Sequence, residues 1–283
     1  MTHQLVTHPL ECDPMITSIP DRCNSLLQEI NGFVKLAAES LESAVTGMEG
    51  VGLSPELTYI PLQAKSVASV AMDVHLLIGL RRFQNILALS RIGFESRIQF
   101  DAALKIPDFV AQKYLTQFKG NIKELEELIE WGVKIEDVRE MLESNKRSLE
   151  EMRKAFVGVP ERQWTFYEAA KASGLELDHK QFYSLLSKAA HVTPMGLVTK
   201  EEPLLLVSIA LRLLRDTMET CASLVYFRDS PKAPARPMTT KWLELIEPLK
   251  RLQSAYPKLD QRFQELSAEE LRDAAVPSGS QRN

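Results

Sequence analysis

Glycine is scarce in this chain of 283 residues, at 12 positions. The glycines never gather into a GxGxxG turn or a Walker loop, which excludes nucleotide binding through a glycine-rich phosphate loop. The alternation of β-branched and polar residues that marks strands is absent as well. Cysteine is rarer still. Cys12, Cys23 and Cys221 form an odd, widely spaced set with no CxxC and no Cys/His ligand spacing, so neither a disulfide framework nor a zinc site is expected, and reduced thiols in a cytoplasmic protein are. HExxH, GxSxG and matched acidic metal motifs are also missing, and no metal or cofactor is expected. The longest apolar run, 203–211, is interrupted by Ser208 and ends at Arg212, far short of the ~20 residues a membrane helix needs. The N-terminal residues show no basic stretch followed by an apolar core, so no signal peptide is expected. A large charge of one sign is lacking too: 34 bases stand against 38 acids, a net charge of -4, which gives no global attraction to nucleic acid.

Leucine, alanine, glutamate, lysine and arginine dominate, all good helix formers. The predicted fold is all-α, a multi-helix bundle carrying an inserted charged helical hairpin. Residues 1–20 hold Pro9, Pro14 and Pro20 and read as an extended arm. Asp21 can cap a helix to about Met48 whose apolar face holds Leu26, Leu27, Ile30, Val34 and Leu41. Breakers in 50–61 predict a loop, followed by helices over about 62–80 and 82–105, the latter stopped by Pro107. The stretch 124–151 holds ten acids and four bases, a local charge of about -6. Its apolar positions are interrupted at Trp131-Gly132-Val133, which predicts a hairpin over about 120–156 with a solvated acidic face. A short helix from Pro160, a helix from about Leu177 to Pro194, and a long apolar helix over 201–228 complete the bundle, 21–228. Three prolines make 229–240 a linker. A helical pair about Pro257 fills 241–273, and 274–283 is a disordered tail.

One constellation can carry chemistry. Tyr183, Ser187 and His191 are spaced four apart on one face of a helix whose neighbours Phe182, Leu185 and Leu186 are apolar. Upstream, Arg91 and Glu95 share a face of another apolar helix. Buried polar groups need partners, so these five are read as one internal cluster. If it opens to a cleft, His191 suits proton transfer near neutral pH and Arg91 suits a phosphate. If it is closed, the same groups lock helix packing. The helix around it is the most basic in the chain, with Arg81, Arg82, Arg91, Arg97 and Lys105 against Glu95 and Asp101; Arg81, Arg82 and Arg97 are the candidate anion-binding residues. His75, in an apolar stretch, reads as a satisfied core histidine. His179 reads as exposed near a helix start, and His3 and His8 in the arm lack metal-ligand spacing.

Arg91-Ile-Gly-Phe-Glu95, followed by Tyr183-Ser-Leu-Leu-Ser187-Lys-Ala-Ala-His191-Val-Thr-Pro194, resembles a bacterial family of all-helical proteins of unknown function over roughly residues 60–228. The resemblance implies a helical bundle and no assigned activity. A weaker likeness is to the HEPN helical nucleases of toxin and phage-defence systems. Their hallmark is Arg, four to six residues, then His on one helix. Ser184, Leu185 and Leu186 occupy the arginine positions here, so Arg91 would have to substitute from another helix.

Three functions follow as expectations. One is metal-independent cleavage of RNA or action on another phosphate-bearing substrate, with Arg91, Glu95, Tyr183, Ser187 and His191 as the site. A second is a non-enzymatic regulatory role, with a protein partner or self-association through the acidic hairpin. A third is binding of a small anionic ligand.

Overall fold

In the computed structural model, the described residues are 21–46, 55–80, 82–132, 136–183, 202–230 and 240–275. They form an all-α multi-helix bundle with no strand among them. The helices are α1 (Asp21–Val45), α2 (Pro55–Gly79), α3 (Phe83–Lys105), α4 (Phe109–Glu130), α5 (Glu136–Ala155), α6 (Phe166–Ser173), α7 (Glu176–Asp178, continued as a π turn His179–Tyr183), α8 (Glu202–Phe227) and α9 (Ile246–Ala275), with a 3-10 segment Thr240–Leu245 before α9. The arm 1–20, Arg81, Ser187, His191, residues 231–239 of the expected linker 229–240 and residues 276–283 of the expected tail 274–283 lie outside the described residues, and residues 274 and 275 belong to α9.

The apolar stripes read from the sequence face the bundle interior, in two clusters. Leu26, Ile30, Val34 and Ala37 of α1 pack with Val74 of α2, Ile98 of α3 and Val207, Ala210 and Leu214 of α8. Leu41, Val67, Phe100, Leu224 and Trp242 make a second cluster. Helix α4 begins in the main core with Phe109 and Val110. Its distal half packs on α5, through a small cluster of Leu125, Val138 and Leu142. The charged hairpin is thus inserted in the bundle at its root and held on itself beyond it. Lys146–Glu126 at 3.3 Å bridges its two arms, and Gly132, with φ 78°, makes its turn in the region that favours glycine.

Prolines proved weaker breakers than expected. Residues 55–61 are helical from Pro55, and Pro61 lies inside α2. Pro55 opens the helix, where its missing N–H would have had no partner anyway. Pro61 deletes one ladder bond, but buried Tyr59 and Ile60 beside it hold the helix in place. Likewise Pro257 lies inside α9, so the expected C-terminal helical pair is a 3-10 segment and one long helix. Leu252 and Leu259, each 1% exposed, anchor it on either side of the proline. The helix expected from Pro160 begins instead at Phe166. Its N-cap is Thr165, in a reciprocal capping box with Glu168, and Gly174 ends it with φ 89°.

Helices α2 and α3 approach closely at Gly93, where an added Cβ would stand 2.9 Å from Val70 Cγ1 and 3.4 Å from its Cβ. Gly32 has open space at the same point. Alanine gains about 1 kcal/mol over glycine in a helix, and overpacking costs about 1–3 kcal/mol. Gly32→Ala is therefore expected to raise the melting temperature and Gly93→Ala to lower it. A Gly93→Ala protein as stable as Gly32→Ala would contradict the close contact.

Candidate functional site

Arg91 and Glu95 lie one turn apart on α3, and α7 brings Tyr183 onto them. Arg91 Nε donates to Glu95 Oε1 at 2.9 Å, and an Arg91 terminal nitrogen donates to the Tyr183 hydroxyl at 3.1 Å. That hydroxyl in turn donates to Glu95 Oε1 at 3.2 Å. Three of the five expected cluster residues therefore meet in a closed triangle, across 88 and 92 positions of chain. Arg91 and Glu95 remain 22% and 19% exposed, so the triangle is reached by solvent. The Glu95 hydrogen bond holds the Arg91 guanidinium above its ordinary value, which keeps the cation charged throughout the working pH range. Ser187 and His191, the remaining two, fall outside the described residues.

The histidine that stands beside Tyr183 here is His179. Their rings stack at 4.4 Å with 14° between planes, and Tyr167 meets His179 edge-on at 5.5 Å. Phe166 packs on Tyr183 at 6.3 Å. The expectation of an exposed His179 is corrected: it is partly buried, and desolvation lowers its pKa. The spacing of four to Tyr183 was the signal for this pairing. The widened turn His179–Tyr183 carries the two rings onto one side, and such turns recur at functional positions.

Beneath the triangle lies an ionic network. Arg212 of α8 donates to Asp178 at 2.5 Å and to both carboxylate oxygens of Asp216 at 3.0 Å. Its guanidinium also lies over the rings of Phe94 and Phe182, at 5.0 and 5.5 Å. Burial opposes the Arg212 charge, but Asp216 and Asp178 more than offset it and hold its pKa above the usual guanidinium value. Arg97 of α3 donates to Thr220 at 2.8 Å, to the Asp216 carbonyl at 3.3 Å and to Asp101 at 3.1 Å.

This placement corrects the anion-binding reading of Arg97. Its guanidinium is 4% exposed and engaged by α8, so an external anion does not reach it. Arg82 stands at the N-terminus of α3, partly buried, and Arg81 lies outside the described residues. His75 departs from expectation too: its carbonyl accepts from Asn31 at 3.2 Å, yet its buried Nδ1 has no hydrogen-bond partner. Cys23 and Cys221 are buried, and burial pushes the Cys221 thiol up to about 12, so it is an inert core group. Among the described residues no group of three His, Cys, Asp or Glu could hold a metal ion, and no helix is long and apolar enough to cross a membrane.

Residues 66–202 match a family of unknown function, DUF5677. The DUF5677 region runs from within α2 to the start of α8, and holds Arg91, Glu95, Tyr183, Ser187 and His191 together. Arg212 and Asp216 lie past its end. No curated protein and no solved structure matches the chain.

Desolvation makes the folded protein bind a proton at His179 less readily than the unfolded chain, whose histidine titrates at 6.5. Falling pH therefore favours unfolding through this group, and its contribution to stability is full above 6.5 and lost below it. His179→Phe, which keeps a ring on Tyr183, is expected to lose less melting temperature than wild type between about pH 7.5 and about pH 5.5. Equal losses in the two proteins would contradict a desolvated His179.

Proposed function

We propose that this chain is a phosphate-directed enzyme of the metal-independent ribonuclease type, working at Arg91, Glu95, Tyr183, Ser187 and His191. The observation that carries the reading is the solvent-reached triangle of Arg91, Glu95 and Tyr183, built from residues far apart in the chain. An arginine oriented by a carboxylate and a phenol is suited to an anionic, pentacovalent phosphorus. His191 acts as general base and acid. It takes the proton from a ribose 2′-hydroxyl, whose oxygen attacks the adjacent phosphorus, and a proton is returned to the departing 5′-oxygen. The products are a 2′,3′-cyclic phosphate and a free 5′-hydroxyl, and every atom and electron pair is accounted for without a metal.

A second reading has its own support. Glu95 already neutralises Arg91 at 2.9 Å, and a self-satisfied triangle also serves to lock α7 against α3 in a protein that acts by interaction. The two readings separate in one assay, in which wild type, His191→Ala and Arg91→Met are incubated with mixed cellular RNA in EDTA and melted in parallel. Cleavage by wild type, reduced about 100-fold or more in both variants with His191→Ala melting as wild type does, is the expected result. No cleavage by any of the three, with Arg91→Met melting markedly lower, would overturn the enzymatic reading in favour of the structural one.

A further inference from the structure

A second site, sharing no residue with the triangle, lies between α2, α3, α4 and the segment that enters α6. It is a cleft of about 510 Å³, within the size range of small-molecule pockets. Tyr59, Tyr114 and Trp164 line it. Tyr59 meets Tyr114 edge-on at 6.0 Å, and both Phe109–Tyr59 and Phe109–Trp164 contacts brace these rings from the core, at 6.5 and 5.8 Å. The Tyr59 hydroxyl is fixed by Gln99 at 2.5 Å and the Trp164 indole N–H by Gln112 at 2.5 Å. The aromatic walls are therefore positioned before any ligand arrives.

The charge in the cleft is unusual for an acidic protein. Among the described residues that line it, Lys113 is the one cation, and none is a carboxylate. Among the described residues Lys113 has no ion pair, and desolvation lowers its pKa. An ammonium held partly out of water without a counter-ion is unfavourable, and an incoming anion relieves that cost. The amides of Gln63, Gln117 and Gln163 also line the space. Each presents donors and an acceptor together, which is the pattern along the edge of a nucleobase.

We propose that this cleft binds a mononucleotide, its base against the aromatic walls and glutamine amides and its phosphate on Lys113. The phosphate is held by a lysine point charge rather than a glycine-rich loop, which accounts for the absence of nucleotide motifs in the sequence. Binding is expected whether or not the Arg91 triangle catalyses anything, because the two sites use different residues.

The test is calorimetric titration of the full chain with AMP, GMP, CMP and UMP, each against its own nucleoside, with inorganic phosphate as a further probe. At least one monophosphate is expected to bind saturably, with its nucleoside and phosphate alone each weaker by about tenfold or more. Lys113→Met is expected to weaken that monophosphate by about tenfold or more while melting at or above the wild-type temperature, since it removes an unpaired, partly buried charge. Gln117→Ala, an exposed change on α4, supplies an independent variant, and it should alter the ranking of the four bases. Absence of saturable binding by all four monophosphates would overturn the proposal. So would affinity unchanged in Lys113→Met, or phosphate alone binding as tightly as the best nucleotide.

Discussion

Arg212 is the group on which the rest of the site depends. Its Nε grips Asp216 on its own helix, and its terminal nitrogen reaches Asp178 at the start of α7. The guanidinium lies over the rings of Phe94 of α3 and Phe182 in the turn that continues α7. One side chain thus joins α3, α7 and α8. A charge at 10% exposure is tolerable only because two carboxylates and two ring faces replace its water. Its bond to Asp178 ties α8 to the segment that carries Tyr183 opposite Arg91 and Glu95.

Two layers of polar chemistry result. The inner one, Arg97 with Asp101 and Arg212 with Asp216, is sealed and fixes the helices. The outer one, Arg91 with Glu95 and Tyr183, is reached by solvent. The cap of α6 links the outer layer to the second cleft, because Trp164 and Phe166 flank the capping residue Thr165. Trp164 walls the cleft, and Phe166 packs on Tyr183. A single reciprocal cap therefore sets the direction of both aromatic sets.

Much of this was legible in the sequence wherever periodicity and side-chain type spoke together. Helical stripes predicted the bundle, and polar residues four apart on apolar helices predicted one cluster of Arg91, Glu95, Tyr183, Ser187 and His191, of which the first three meet and the last two lie outside the described residues. Arg97 and Asp101 have the same spacing, yet Arg97 was read as an anion site. One helix's periodicity does not say which face another helix covers, and here Thr220 and the Asp216 carbonyl cover it. Arg212 was read only as the end of an apolar run. The pairs Arg212/Asp216 and Arg215/Glu219, each four apart, were the available sign of an ionic face on that helix. Pro61 and Pro257 misled for a related reason, since tertiary burial on both sides of a proline outweighs the loss of one ladder bond.

The most direct test is a double-mutant cycle in chemical denaturation, using Arg212→Met, Asp178→Ala and the two together. If Arg212 ties α8 to the turn that carries Tyr183, the pair is coupled by about 1–3 kcal/mol, and the double variant is no less stable than Arg212→Met alone by more than about 0.5 kcal/mol. Additive losses from the two single changes would contradict the account, because Asp178 and Arg212 would then contribute independently and the position of Tyr183 would have to be set by something else.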